Sequence, residues 1–456
     1  MRNSIAGGPK DYVPRASSSL ERLSVGQIAA FALPAGGLAA LLFFVQFFFL
    51  KYGAEVLLIP PAVVGLILAG AKIWDAVSDP LVGSWSDRTR GPAGRRHPWM
   101  WGSLPVMGAG FVALWAIPTD LGLTAKVVLV VGALLVFYTG FTLHSVPHVS
   151  FGAEMSRDSH QRVRAFGARH VLWTLGLFAA FALVQAASGR SQQDVLQLSW
   201  VAAGVALLLR AVTPALLKPR QAAATEQSSG LAADYRAVLG QPGAVTLFAV
   251  WFIENLGAGV LGGLAPFYAD YVIGRPDLIG VLPAVYAVAG VVSIPLWVIA
   301  SRWFGAKPTW LFAMLLGAAG FALTYASTTS LVVLFVALGL AGAAMGCGGV
   351  MATAVMADLV DALHRRTGAR REGAFTAFMN FALKTGIALS TALGGLMLSV
   401  AGFQANQAQS PQTVEAIRVF FAVLPAAGFL VGAALFARFP GRSTHRVALD
   451  APLESF

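Results

Sequence analysis

Two carboxylates one helical turn apart, Asp75 and Asp79, interrupt an otherwise apolar run, and Lys72 stands three residues before the first. At 3.6 residues per turn these three side chains share one helix face. A carboxylate or ammonium inside a bilayer costs roughly 2.5–3.5 kcal/mol on insertion scales, so a stripe of three reads as a working site. Two carboxylates at this spacing suit an oxygen-ligand site for a monovalent cation such as Na+, or one held proton. Lys72 beside them is placed to neutralise one charge when no ion is bound. Counted from a helix start near Leu57, the carboxylates fall about 27 and 33 Å along the helix, toward its cytoplasmic half.

Other charged and polar groups lie in apolar surroundings. Arg169 sits early in the fifth apolar run, within snorkelling reach of the cytoplasmic headgroups. Lys384 lies thirteen residues beyond Arg371 with a long apolar stretch after it. Snorkelling is harder there, so a partner across the bundle is expected, and Asp75 and Asp79 are the obvious ones. Glu254 and Asn255 are candidates for hydrogen bonding to substrate or for a structural network. His144 and His148, four residues apart, are candidates for substrate or proton binding, with a structural role beside Pro147 as the alternative.

Composition says what must position these groups. Hydrophobic residues make up 57% of the 456 and charged residues 12%, against about 25% charged in soluble domains. Apolar runs near 25–50, 56–85, 98–118, 122–150, 164–188, 195–217, 244–270, 276–300, 306–326, 329–357, 372–402 and 414–437 read as twelve transmembrane helices, an all-α membrane protein. Twenty-three basic residues fall on the side of the termini and the loops after even-numbered spans. Five, namely Lys51, Lys126, Arg190, Arg275 and Arg418, fall on the other side. This bias places both termini in the cytoplasm. The net charge of +11 is thereby accounted for without nucleic acid. The single cysteine, Cys347, builds neither a disulfide framework nor a metal site. The first 24 residues are polar and basic, and no signal peptide is expected.

The polar stretch 218–243 reads as a cytoplasmic linker between two six-helix bundles, 25–217 and 244–440, flanked by a segment 1–24 and a tail 441–456. The bundles echo each other. Ala153-Glu154-Met155 precedes a basic run ending Arg164-Ala165-Phe166; Ala357-Asp358-Leu359 precedes one ending Glu372-Gly373-Ala374-Phe375. A duplicated unit related by an axis along the membrane normal is a transporter architecture.

Trp74-Asp75-Ala76-Val77-Ser78-Asp79-Pro80, with Gly83, Asp87-Arg88-Thr89-Arg90 and Gly94-Arg95-Arg96-His97-Pro98-Trp99, resembles the second helix and following loop of the glycoside–pentoside–hexuronide:cation symporters. That family is the melibiose-permease branch of the major facilitator superfamily. Pro147, Gly152-Ala153-Glu154-Met155, Arg162 and Arg169 resemble its helix four to five junction. Asp358-Leu359-Val360-Asp361, Gly368 to Gly373 and Lys384-Thr385-Gly386 resemble its helix ten to eleven junction. The resemblance spans roughly residues 20–440 and implies the major facilitator fold with two pseudo-symmetric halves. It also implies roles: Asp75 and Asp79 as coupling-cation carboxylates, Lys384 as the lysine that interacts with them, and Arg169 as an arginine near the sugar site. The pattern is broken at two positions. Acidic residues that hold sugar hydroxyls in helices one and four of melibiose-permease-like members fall near Ala39 and Ser145 here.

The expectation is therefore a monomeric, cation-coupled symporter in the inner membrane, alternating between outward- and inward-open states. Na+ or H+ is the coupling cation, no other cofactor is expected, and the cargo is a glycoside or related sugar. Asp87, Arg88, Arg95, Arg96, Glu154 and Asp358 are expected to form a cytoplasmic gate that stabilises the outward-open state. A lysolipid carrier is the alternative within transporters, and a non-transporting sensor the alternative outside them. Nothing in the chain pairs a nucleophile with a base, so no enzyme is expected.

Overall fold

The computed structural model describes residues 22–156, 158–219, 231–369 and 371–439. The expected segment 1–24, the tail 441–456 and the central part of the expected linker lie wholly or mostly outside the described residues. Thirteen α-helices appear among those described. They are α1 Val25–Glu55, α2 Pro61–Arg88, α3 His97–Trp115, α4 Leu123–Glu154, α5 Ser159–Ala187, α6 Gln192–Leu216, α7 Leu231–Leu239, α8 Ala244–Phe267, α9 Val281–Phe304, α10 Ala306–Ala326, α11 Leu331–Thr367, α12 Glu372–Val400 and α13 Pro411–Ala437. A π-helical turn, Tyr268–Val272, extends α8.

Local chemistry sets the ends. Ser24 caps α1 with Gln27 closing a capping box, and Asp158, Ser191, Ser330 and Ser410 cap α5, α6, α11 and α13. Gly368, in the left-handed region at φ 71°, stops α11 behind a last turn of His364, Arg365 and Arg366. Eleven spans are long and apolar enough to cross a membrane. The twelfth expected span, α3, falls short in mean hydropathy, its 19 residues including two prolines, three tryptophans, three glycines and a serine. It nonetheless packs against α4 and α6 inside the bundle. The short α7 lies within the stretch read as linker.

One boundary changes the reading of the site. Helix α2 begins at Pro61, not near Leu57, because Leu58 turns the chain at φ 53° and Pro60 precedes the first helical turn. Asp75 and Asp79 consequently stand about 21 and 27 Å along a helix of about 42 Å. Both carboxylates thus fall within the middle third of the helix.

Packing reveals the repeat. Within the first bundle α1 packs on α5 and α6, α3 on α4 and α6, and α2 on α4; within the second, α8 packs on α12 and α13, α10 on α11 and α13, and α9 on α11. Replacing α1–α6 by α8–α13 in order converts one set into the other. The halves meet through α2 with α12, α1 with α8, and α5 with α9. At the end remote from the basic loops, a Cβ on Gly65 would lie 2.8 Å from the Thr391 carbonyl oxygen, and one on Gly395 would run into the Pro61 carbonyl. Glycine at both positions lets α2 and α12 approach backbone to backbone.

Candidate functional site

Lys384 of α12 reaches across the seam between the halves. Its Nζ lies 2.9 Å from Asp75 Oδ2 and 2.6 Å from Asp79 Oδ2. Thr142 of α4 donates from Oγ1 to Asp75 Oδ1 or Asp79 Oδ1, each at 3.2 Å. Ser78, the residue between the carboxylates on the same turn, stands 3.0 Å from the Thr142 hydroxyl. Asp75 is 2% exposed, while the side chains of Asp79 and Lys384 keep 33% and 17%. The cluster therefore contains two carboxylates, two hydroxyl oxygens and one ammonium, and it is most exposed on the Asp79 side. A buried ion pair stands only if its remaining lone pairs are satisfied, and Thr142 does that.

Lys72 does not cap the carboxylates as the helical stripe suggests. Its ammonium sits 5.1 Å from the centre of the Tyr138 ring on α4, a cation–π contact. Lys384 occupies the place between the carboxylates.

Arg169 of α5 is half-buried, with its guanidinium 5.7 Å from the Trp173 ring centre. Trp173 in turn meets Phe43 of α1 and Phe141 of α4 edge to face. Phe141 directly precedes Thr142, so the aromatic wall continues into the carboxylate cluster.

The remaining candidates face into the bundles instead. His144 and His148 are fully buried. His144 Nδ1 lies 3.0 Å from Ser103 Oγ on α3, and His148 Nε2 donates to the Phe31 carbonyl of α1 at 2.8 Å while stacking on the Phe31 ring. Glu254 accepts from Trp310 Nε1 of α10 at 2.9 Å, and its other oxygen lies against Gly348 of α11. Asn255 spends its amide on the Trp251 carbonyl of its own helix. None of these four side chains is exposed toward the seam.

At the end with the basic loops, the ionic contacts described stay within a half. Arg96 pairs with Asp87 and Glu154, and Arg95 pairs with Glu154 at 3.0 Å, tying α2, α3 and α4 together. In the other half Arg371 pairs with Asp234 of α7 at 2.8 Å, and Arg366 donates to Gln241. Arg88 and Asp358 are exposed and make no described ion pair. The expected gate thus splits into a network inside the first half and two groups that it does not include.

At the opposite end the halves are clamped. Lys51 of α1 bonds both Glu55 and, across the seam, Asp270 at 2.6 Å. Tyr271 donates to Glu55 Oε1 at 2.8 Å, and Asn406 donates to the Glu55 carbonyl. Gln185 of α5 accepts from the Gly280 N–H at 2.9 Å. Sequence reasoning missed this clamp, along with Thr142, Trp173 and the fully buried Arg210. The signal for Arg210 was present, an arginine within an apolar run; Lys51 and Glu55 also show an i,i+4 pair.

A family model described as MFS/sugar transport protein matches residues 30–441. The inner membrane symporter YicJ of Escherichia coli strain K12 is 26% identical over 418 residues, covering 88% of this chain and 89% of its own. The isoprimeverose transporter of Lactiplantibacillus pentosus is 26% identical, covering 84% and 82%. A sodium-dependent lysophosphatidylcholine symporter 1 of Xenopus tropicalis is 24% identical, covering 88% and 83%. Among solved structures, a bacterial homologue of the human lysosomal transporter Spinster superposes with TM-score 0.69 at 13% identity, covering 92% of this chain and 98% of that one. That likeness shows the fold. A helical repeat, a charged seam and matches along nearly the whole length converge: this chain is a multi-pass membrane protein of the MFS/sugar transport family, in its glycoside–pentoside–hexuronide:cation symporter group.

Proposed function

We propose that the protein is a monomeric symporter of the inner membrane, with both termini in the cytoplasm, that couples entry of Na+ or H+ to uptake of a small organic solute, a glycoside or related sugar. The observation that carries this reading is the Lys384 ammonium held between Asp75 and Asp79 across the seam. An ammonium ligated by oxygen atoms stands in for a monovalent cation. Na+ entering between Asp75 Oδ2, Asp79 Oδ2 and the Thr142 hydroxyl, or a proton on one carboxylate, would displace Lys384 and loosen α2 from α12. Cation binding is thereby converted into a change in how the halves meet.

The described contacts support an inward-open state. The Lys51 clamp and the Gly65–Gly395 approach close the end away from the basic loops, while the described ion pairs at the basic end stay within single halves. Closing the basic end would bring Arg88 and Asp358 into play as the gate. One charge moving through about 100 mV yields about 2.3 kcal/mol, roughly a fifty-fold concentration of a neutral solute.

The test is uptake into proteoliposomes driven by a Na+ gradient or a pH gradient, with a panel of glycosides. Accumulation that collapses when both gradients are dissipated supports coupling; uptake indifferent to both gradients would sink it. A second reading, a lysolipid carrier, is favoured by an apolar crevice of about 620 Å3 between α5 and α9, lined by Phe178, Phe181, Val281, Val288 and Val292. Competition of uptake by lysophospholipids rather than glycosides separates the two. Ligand-induced stabilisation without counterflow would point to a non-transporting sensor.

A further inference from the structure

Asp75 and Glu254 are the two buried acidic residues among those described. Asp75 has the Lys384 ammonium at 2.9 Å, whereas Glu254 meets no cation among the described residues. Glu254, 1% exposed on α8, accepts one described hydrogen bond, from Trp310 Nε1 of α10 to Oε1 at 2.9 Å. Its Oε2 is buried without a partner. A Cβ on Gly348 of α11 would lie 2.7 Å from that oxygen, so a glycine makes the room it occupies. From α9 comes the Tyr286 hydroxyl, also buried and unpartnered, and from α11 comes Cys347, whose thiol donates to the Thr309 carbonyl of α10. Both lie within electrostatic reach of Glu254, and neither brings a positive charge. Lys384 of α12 is engaged by Asp75 and Asp79. The other charged residues of α1 and α7–α13 lie toward helix ends: Lys51 and Glu55, Asp234 and Arg236, Arg302, Lys307, Asp358 to Arg366, Glu372, and Glu415 with Arg418.

An ionised carboxylate offers about four lone-pair sites, and here one donor meets them with no cation nearby. A charge so placed in an apolar bundle is costly, and such a group neutralises itself by taking a proton. We propose that Glu254 is a proton-binding site of the second bundle, a neutral carboxylic acid with its proton on Oε2, which lets α8, α10 and α11 pack around it as one body. The site is separate from Asp75 and Asp79 and is occupied whichever cation and cargo the protein takes. It also stands close to the moving parts. Two residues past Lys384, a Cβ on Gly386 would lie 2.8 Å from the Phe252 carbonyl of α8. The Lys384 helix therefore rests against the turn that carries Glu254, and loss of the proton would put a bare charge behind that contact.

The experiment is infrared spectroscopy of the purified full-length protein at neutral pH, unlabelled and carrying isotopically labelled glutamate. A carboxylic-acid carbonyl band that shifts with the glutamate label is expected. It should vanish in Glu254→Gln, which keeps an oxygen for Trp310 and cannot ionise. Thermal unfolding gives a second readout. The folded protein holds a proton that the unfolded chain, whose glutamate ionises near about 4.3, has released. Rising pH should therefore destabilise the unmodified protein relative to Glu254→Gln, by up to about tenfold in the folded-to-unfolded ratio per pH unit, until the folded form ionises as well. Absence of a label-sensitive acid band, or its survival undiminished in Glu254→Gln, would overturn the proposal. Parallel stability profiles in the two proteins, or stabilisation by Na+ that Glu254→Gln alone lacks, would overturn it too. Should the glutamine variant fail to fold, the labelled unmodified protein decides: an acid band from glutamate upholds the site, and carboxylate absorption alone rejects it.

Discussion

The repeat makes two seams equivalent, α2 with α12 and α9 with α5, yet they are built from different chemistry. The first is tight and charged: glycine backbones touch at one end, and two carboxylates share an ammonium near the middle. The second is apolar: Gly280 meets the Phe181 backbone and Gln185 closely at one end, and a crevice opens beside Phe181 and Val288. The repeat supplies two equivalent seams, of which one carries ions and the other is apolar. A bound cation can act on a seam only through groups whose interaction energy it changes. The α2–α12 seam holds such groups, whereas α5–α9 offers only surface and shape. The proposed coupling is accordingly assigned to the first seam.

Changes at the charged seam should have the largest effects. Lys384→Met strands two carboxylates in a partly buried site, and removing one partner of such a pair costs about 3–5 kcal/mol. Accumulation should fall to equilibration, and thermal unfolding of the purified variant should shift accordingly; an unchanged gradient-driven uptake would erase the contrast between the seams. Next comes Gly395→Val, which forces a side chain into the Pro61 backbone. Overpacking of this kind costs about 1–3 kcal/mol, so initial uptake should drop about tenfold or more, with protein still in the membrane. A smaller effect is expected from Lys51→Met at the outer clamp, where a cysteine placed at Ala54 should become more accessible to a membrane-impermeant thiol reagent. Unaltered labelling would mean that the clamp does not hold the closed end. The least effect belongs to Ala284→Phe in the apolar crevice, where sugar uptake should stay within about twofold while lysolipid competition weakens if the crevice takes an acyl chain. A large loss of sugar uptake there would blur the distinction.

Much of the ionic site is legible before folding, for a physical reason. Charges in apolar runs are expensive wherever the helix points, so Asp75, Asp79 and Lys384 stand out by composition and spacing alone. Direction is harder to read. Glu254, Asn255, His144 and His148 also interrupt apolar runs, but α8 and the lower part of α4 are buried on nearly every side. No apolar stripe then says which face meets the seam, and these side chains turn into their own bundles. Lys72 lies on the expected face, but the ammonium bonded to both carboxylates arrives from 312 positions along the chain. The Lys51 clamp depends on the π-helical turn after Pro266, which carries Asp270 and Tyr271 toward α1. Counting at 3.6 residues per turn does not anticipate an inserted residue. The repeat itself was visible in paired loop motifs, while the difference between the two seams required the packing.

The most direct measurement of the central claim is gradient-driven accumulation by Asp75→Asn in proteoliposomes, alongside exchange of labelled for unlabelled cargo with no gradient. Asparagine keeps the shape of the site and removes the charge that a cation and Lys384 contend for. The account predicts that accumulation disappears while the protein stays folded and gradient-free exchange remains detectable. Accumulation at the unmodified protein's level would contradict it.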